Sequence, residues 1–419
     1  MRNRNLSFLS IVLIIFLVID AYVFQGVRVL LHSYTPVIKK LIYVFYWGFT
    51  LFTLAGLMYF AASPEKWTRM MKVVYFGSVL TVYFTKFIYF IFLVLDDIIR
   101  LFRWVFQKVS LLFNHQPLSS GAEIHRSEFL LKAGLAFAAV PFFGMLYGIV
   151  FGAHDYRVKR VKVKLKKLPS SFEGLKIAHI SDIHSGSFYN KAAVKRGVKL
   201  LMDQQPDIVF FTGDLVNDRA TEVENYIEVF KEIKAPMGVF SVLGNHDYGD
   251  YVPWNSKEER VENLKDLMNA HKRMGWDLLM DEHRILKKGG EEIALLGIQN
   301  WGKGANWPKY GKLKKAYAGT EKYPVKLLLS HDPSHWDAQV RPDYPDIDIT
   351  FSGHTHGFQF GIEAAGVKWS PVQYKYKQWG GLYKEDNQYI YVNRGFGFLG
   401  FPGRIGMPPE ITIMELSKA

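Results

Sequence analysis

Four apolar stretches, near Phe8–Gly26, Leu41–Ala62, Val73–Leu95 and Phe129–Phe151, constrain this chain more than any other feature. Each is long enough to cross a bilayer as a helix, which takes about 20 residues at about 1.5 Å rise per residue. Crowded into residues 1–155, they leave almost no polar face for a water-soluble helical domain. They predict a multi-pass α-helical membrane region over 1–155, with the lipid bilayer as its partner and an inner or cell membrane as its location. Tyr43, Tyr46, Trp47, Tyr83 and Tyr89 crowd the second and third stretches, as interfacial rings often do. The first stretch is also signal-peptide-like, but no small-residue cleavage site follows it. Asp20 and Lys86 fall inside the first and third spans. An intramembrane charge is a functional hypothesis by default, yet snorkelling or a displaced span boundary is the favoured sequence reading here.

After the third stretch, Arg100, Arg103 and Lys108 alternate with Leu101, Phe102, Trp104 and Phe106. Residues 98–113 therefore read as a basic amphipathic helix in the membrane interface, or as a plain helical continuation of the span. Flanking charge does not orient the chain. Arg157, Lys159, Arg160, Lys162, Lys164, Lys166 and Lys167 after the last span favour a cytoplasmic C-terminal domain, but they alternate with Val158, Val161, Val163 and Leu165 as one face of a strand would. Without them, Arg2, Arg4, Lys66, Arg69 and Lys72 are outnumbered by Arg28, Lys39, Lys40, Arg100, Arg103, Lys108, Arg126 and Lys132 across the membrane. His125–Lys132 also resembles a twin-arginine export signal whose second arginine is replaced by Ser127. The side stays open.

From Tyr156 to Ala419 the pattern becomes short β-rich runs alternating with charged, helix-like segments, predicting an α/β or α+β domain over 156–419. The chain has no cysteine, which excludes disulfides, thiolate metal sites and cysteine nucleophiles. Its net charge of +13 is spread over membrane flanks without a basic helix or stacking motif, so no nucleic-acid partner is expected.

Five apolar runs end in a metal-competent residue. They are Leu175–Ile180 before Asp182 and His184, Asp207–Thr212 before Asp214, Gly238–Leu243 before Asn245 and His246, Val325–Ser330 before His331, and Ile347–Ser352 before His354 and His356. Ligands gather outside the carboxyl ends of strands, where loops converge. Asp182/His184 and His354/His356 are each two apart, so in an extended segment each pair projects from one side. Carboxylate, imidazole and amide ligands without sulfur suit Mn²⁺, Fe or Zn²⁺. Seven such residues exceed one four-coordinate site but suit two ions sharing a bridging carboxylate, about 3.5–4 Å apart, with an acidified water as nucleophile on a phosphoryl group.

The order SDIH, GD, GNHD, H, GHTH over Leu175–His356 resembles the calcineurin-like metallophosphoesterase superfamily. The segments Asn393–Gly397 and Pro409–Ile411 resemble a bacterial membrane-associated branch, extending the similarity through nearly all of the domain. The resemblance implies a four-layer αββα sandwich and two divalent metal ions. It implies Asp182, His184, Asp214 and His356 on one ion, and Asp214, Asn245, His331 and His354 on the other. It implies His246 as the catalytic group that contacts phosphate and protonates the leaving oxygen. The family's orienting acid, three residues after the bridging Asp, is replaced by Asn217, leaving an amide, Asp218 or Asp247 to orient His246. A second glycine after GHTHG is replaced by Phe358, which with Phe360 either lines the site mouth or packs under the sheet.

Arg219, Arg394 and Arg404 are candidates to bind a phosphate or pyrophosphate through the guanidinium fork, against the reading of solvated surface arginines. The apolar loop Gly395–Met407, with Phe396, Phe398, Leu399 and Phe401, reads as a contact for acyl chains or as a buried crossover. The leading expectation is a membrane-anchored phosphoesterase acting on a lipid-linked phosphoester, as in the similar UDP-2,3-diacylglucosamine pyrophosphate hydrolases of lipid A biosynthesis. A phosphodiesterase or phosphatase for soluble nucleotides or phosphoproteins, and a non-catalytic metal-binding membrane sensor, are the alternatives.

Overall fold

Four long helices, α1 (Arg2–Leu30), α2 (Pro36–Ala62), α3 (Arg69–Asn114) and α4 (Glu128–Val150), make up almost all of the first of two units, Met1–Tyr147. The computed structural model describes residues 2–114, 127–304, 308–364 and 366–419, so His125 and Arg126 of the export-like stretch lie outside the described residues. All four helices are long and apolar enough to span a membrane. Their outward residues, such as Ile14, Val44, Phe45, Phe137 and Val140, are apolar and exposed, as hydrocarbon solvation requires. Pro36 opens α2 at a position where a missing N–H costs nothing. α3 runs unbroken for 46 residues, so the basic stretch after the third apolar run is part of the same helix. A Cβ on Gly56 would collide with the Tyr75 ring, and only glycine lets the two helices meet there.

Asp20 and Lys86 overturn the snorkelling expectation. Both are buried among the helices, and Lys86 Nζ lies 2.5 Å from Asp20 Oδ1. The other carboxylate oxygen accepts from Thr50 Oγ1 at 2.6 Å and Tyr83 OH at 2.7 Å. Tyr46 OH donates to the Asp20 carbonyl at 2.8 Å. Residues 30 and 66 positions away thus neutralise and solvate a carboxylate that hydrocarbon could not.

In the second unit, Gly148–Ala419, two six-stranded sheets lie face to face. The first has the order β1 (Arg157–Leu165), β14 (Glu410–Lys418), β2 (Lys176–Ile180), β3 (Ile208–Thr212), β4 (Val239–Val242), β5 (Asp277–Leu278). The second has the order β12 (Gly381–Glu385), β13 (Gln388–Val392), β9 (Ile349–Ser352), β8 (Lys326–Leu329), β7 (Glu291–Gly297), β6 (Glu282–Lys288). A short antiparallel hairpin, β10 (Ile362–Ala364) and β11 (Val367–Trp369), stands apart. Ile177, Phe210, Val242 and Met414 of the first sheet pack against Leu295, Leu327, Ile349 and Phe351 of the second. Buried on both faces, these parallel strands read as continuous apolar runs rather than alternating ones.

Helices cover the outer faces. α5 (Lys191–Met202), α6 (Ile227–Phe230) and α7 (Lys257–Met274) contribute Val194, Val198, Phe230, Leu267 and Met274 to the layer over the first sheet. α8 (Leu313–Tyr317) and the segment around Trp336 cover the second. α7 begins where the Ser256 side chain accepts from Glu259 N, and ends at Gly275 with φ +80°. The architecture is the expected four-layer αββα sandwich. β2, β3, β4, β8 and β9 end at one rim, each directly before one of the motifs.

The loop Gly395–Met407 is a buried crossover, not an acyl-chain contact. Phe396, Phe398 and Met407 are buried, with Phe396 against Tyr156 (centroids 4.4 Å apart) and Phe398 against Tyr189 (5.8 Å).

Candidate metal centre

Each strand end hands over to a loop in which the backbone turns sharply. Asp182, His184, Asp214, His354 and His356 all adopt left-handed φ, between +48° and +71°. The two-apart pairs therefore do not project from extended backbone as the sequence implied; alternate left-handed residues turn both side chains inward. Such conformations cost about 1–3 kcal/mol each for non-glycine residues and persist only where the surroundings hold them. Here the surroundings do. Asp182 N donates to the Gly213 carbonyl (2.9 Å), His184 N to the Asp214 carbonyl (3.0 Å), and His354 N to the Asp182 carboxylate (2.9 Å). A Cβ on Gly353 would collide with Ser181 and with that same carboxylate, so glycine is required beside His354.

The side chains form two buried groups, Asp182/His184/His356 and Asp214/His331/His354, with ligand atoms in each within 4.8 Å of one another. Asp214 Oδ2 lies between them, 3.5 Å from His184 Nε2 and 3.2 Å from His331 Nε2. His356 Nε2 is 3.3 Å from Asp182 Oδ1. Asn245 Oδ1 joins the second group, 3.1 Å from His331 Nε2 and 2.9 Å from His354 Nδ1. All seven sequence-predicted metal residues are thus brought together.

The donor chemistry fits divalent cations. His331 Nδ1 bonds the Thr212 carbonyl at 2.7 Å; a carbonyl only accepts, so the proton sits on Nδ1 and the Nε2 lone pair faces Asp214 and Asn245. Acceptors this close repel unless a proton or a cation lies among them. Without metal the proton does it: burial opposes charge on His331, but the adjoining Asp214 carboxylate overrules it and raises the imidazole to about 10. His184 is lowered to about 3 and His354 to about 4, mainly by burial, while burial, His184 and Arg404 depress His356 further. These rings are neutral, the form that binds metal. Among the described residues, both nitrogens of His184 and Nε2 of His356 are buried without a hydrogen-bond partner, so each ring has a lone-pair nitrogen for a cation.

His246 sits beside the first group, its ring centroid 5.0 Å from that of His184. Its Nδ1 bonds the Asn217 main-chain carbonyl at 2.7 Å. The orienting group is therefore backbone, not the Asn217 amide, Asp218 or Asp247. Asp247 has a different task, accepting from the N–H groups of Asp214 (2.9 Å), Leu215 (2.8 Å), Val216 (3.3 Å) and Gly244 (2.8 Å). One carboxylate thus joins the loop of Asp214 to the loop of Asn245.

The arginines divide. Arg404 is buried and donates to the carbonyls of Arg394, Gly397 and Met407; burial lowers it to about 10. Arg394 is buried between Glu410 (2.5 Å) and Glu363 (3.0 Å). Neither guanidinium is free for a phosphate, and neither is a surface residue, so both sequence readings are corrected. Arg219 is half-exposed and stacks on Trp254 at 4.2 Å. Two tyrosines escaped sequence reasoning: Tyr376 OH lies 2.8 Å from His354 Nε2, and Tyr251 OH accepts from Asn245 Nδ2 at 2.9 Å. Neither sits in a motif; only the fold brings them to the site.

Comparison with known proteins agrees with this geometry. Residues 3–153 match the family described as "Probable Calcineurin-like phosphoesterase, transmembrane domain", and residues 175–358 match "Calcineurin-like phosphoesterase". A "Transmembrane protein with metallophosphoesterase domain" of Danio rerio is 30% identical over 65% of this chain and 60% of its own length. The "Uncharacterized metallophosphoesterase YkuE" of Bacillus subtilis is 29% identical over 66% of this chain and 90% of its own. Four helices long and apolar enough to span a membrane thus precede, in the chain, two sheets that end on one histidine- and carboxylate-lined rim, and over these two stretches the chain is similar to the calcineurin-like phosphoesterases and their transmembrane domain.

Proposed function

We propose that the protein hydrolyses a membrane-proximal phosphoester or pyrophosphate at a centre of two divalent cations. The observation that carries this reading is the place of Asp214 Oδ2, within 3.5 Å of a histidine from each group. Asp182, His184, Asp214 and His356 would hold one cation; Asp214, Asn245, His331 and His354 the other. Bound there, the cations would supply Lewis acidity to the phosphoryl oxygens and acidify a water. The residues of the chain do the rest. Asp247 fixes the two loops, and the burial of His184, His354 and His356 keeps them neutral. The Asn217 carbonyl holds His246 by Nδ1, leaving Nε2 to carry a proton to the leaving oxygen. Arg219, half-exposed but paired with Glu259 at 3.6 Å, would exchange that carboxylate for a substrate anion. A lipid-linked pyrophosphate of the UDP-2,3-diacylglucosamine type satisfies the membrane anchor and the diphosphate chemistry together.

The test uses the full chain in lipid nanodiscs, stripped with chelator and resupplied with Mn²⁺, Zn²⁺, Fe²⁺ or Mg²⁺. Turnover of nitrophenyl phosphate mono- and diesters should return with metal, vanish in Asp214→Asn, and fall about 10²–10⁴-fold in His246→Ala. Metal-independent turnover, or full activity in Asp214→Asn, overturns the two-cation reading. Faster turnover of a soluble nucleotide than of the lipid-linked pyrophosphate overturns the substrate assignment alone.

A further inference from the structure

The hairpin β10–β11 is built inside out. Its register pairs Ile362 with Trp369, Glu363 with Lys368 and Ala364 with Val367. Alternation puts Glu363 and Lys368 on one face and the apolar residues on the other. A surface hairpin ordinarily turns its apolar face to the domain and its charges to water. Here the charged face is the inner one. Glu363 bonds Arg394 (3.0 Å) and Lys159 (3.1 Å), and Lys368 Nζ bonds the Gly380 carbonyl and lies 4.7 Å over the Trp379 ring. The apolar face is left to the outside. Ile362 is 52% and Val367 55% exposed, and Phe358 and Tyr374 nearby in the chain are 60% and 79% exposed. Phe360, 37% exposed, meets Trp369 at 6.0 Å between centroids and extends the same face.

The root of the hairpin is tied to the exit of α4. Phe360 pairs as a β-bridge with Ile405, and the neighbouring Arg404 N donates to the carbonyl of Gly148, in the last turn of α4. Lys159, which holds Glu363, stands three residues into the strand that follows that helix. The root of the hairpin is therefore fixed to the segment by which the chain leaves its fourth membrane-spanning helix. Trp369 and Tyr374, joined at 3.4 Å, are the residue types that favour the headgroup boundary. The face begins at Phe358, two residues after His356. We propose that the outer face of the β10–β11 hairpin, with Phe358, Phe360 and Tyr374, inserts into the headgroup–acyl boundary of the bilayer and holds the metal centre facing the membrane surface. The contact does not depend on which phosphoester is hydrolysed.

The absence of cysteine makes the test direct. The full chain carrying Val367→Cys, labelled with an environment-sensitive fluorophore, is placed in phosphatidylcholine/phosphatidylglycerol vesicles, beside Asp266→Cys on the exposed side of α7 as solvent reference. The label at 367 should emit to the blue of the label at 266, lose most of its emission to nitroxide-bearing lipids, and resist aqueous iodide. Quenching at 367 by iodide as strong as at 266, with indifference to nitroxide lipids, overturns the proposal. Protection that follows the protein-to-lipid ratio rather than nitroxide content also overturns it, assigning the face to a second copy of the chain. Turnover of a soluble ester should be the same in both labelled proteins as in the unlabelled chain, which separates this result from failure of the catalytic reading.

Discussion

Replacing Lys86 by Met should be the most damaging single change in the membrane unit. It leaves the Asp20 carboxylate with two hydroxyl donors, Thr50 and Tyr83, and no cation. Removing one partner of a buried ion pair costs about 3–5 kcal/mol, because the remaining charge stays buried. The reverse change is gentler. In Asp20→Asn the amide oxygen still accepts from the same hydroxyls, and Lys86 Nζ keeps two aromatic faces, 4.3 Å from the Tyr46 centroid and 4.8 Å from that of Tyr83. A desolvated cation–π contact is worth about 2 kcal/mol, so Asp20→Asn should cost about 1–3 kcal/mol. The double variant removes both charges and should cost well under the sum, with a coupling above about 1.5 kcal/mol. Polar pairs between membrane helices typically couple by only about 0.6 kcal/mol, so that value would single out the ion pair. The assay is SDS titration of the full chain in mixed micelles, following helix content for the four proteins. Additive costs, or Asp20→Asn worse than Lys86→Met, would refute the reasoning and place both charges in contact with headgroups or water.

Asp247→Asn keeps one accepting oxygen but turns an amide N–H toward two backbone donors. With two charge-assisted bonds lost at about 1.5–3 kcal/mol each, the second unit should melt measurably earlier and bind Mn²⁺ about 10–100-fold more weakly, read by denaturant titration and equilibrium dialysis. Unchanged metal affinity would show that the two loops are held without it. Acid should destabilise the same unit through His179, His271 and His335, which burial lowers to about 3, 3 and 4 from 6.5. The unfolded chain takes up those protons first, so their contribution is intact above about pH 6.5 and is lost as pH falls toward 4, by about 1.4 kcal/mol per unit for each ring. In chelator, His335→Gln should reduce the measured slope of stability against pH by about that amount, and an unaltered slope would refute the burial argument.

The clustering of the candidate metal residues was legible because their signal is local. A strand that ends in a buried rim must turn at once, and Gly213, Gly244 and Gly353 mark the turns in the sequence as plainly as the ligands do. The order of the motifs then follows the order of the strands. The arginines gave no such signal. Whether Arg404 meets solvent or five main-chain oxygens depends on how the Gly395–Met407 crossover that contains it folds back on itself and on His356, and that run of glycine and phenylalanine is equally consistent with a lipid-facing loop. The Asp20–Lys86 pair was missed for the same reason. Each charge lies alone in its span, and only helix packing shows that 66 residues of chain bring them together.

Spacing picked out residues that the structure brings together, but through the wrong geometry. Pairs two apart were read as one face of a strand, yet Asp182, His184, His354 and His356 are left-handed rather than extended. The two arrangements differ in what they allow. A strand would continue past its ligands and bury them under the next residue, whereas a left-handed turn ends the strand and opens the rim. The strain is held by hydrogen bonds between the loops: His354 N to Asp182, His184 N to Asp214, and His246 N to Asp214. Because each ligand loop is fixed by a carboxylate or carbonyl of another, the centre is assembled as a unit. The hydrogen bonds between the loops thus direct the candidate ligand side chains to one rim together rather than one by one.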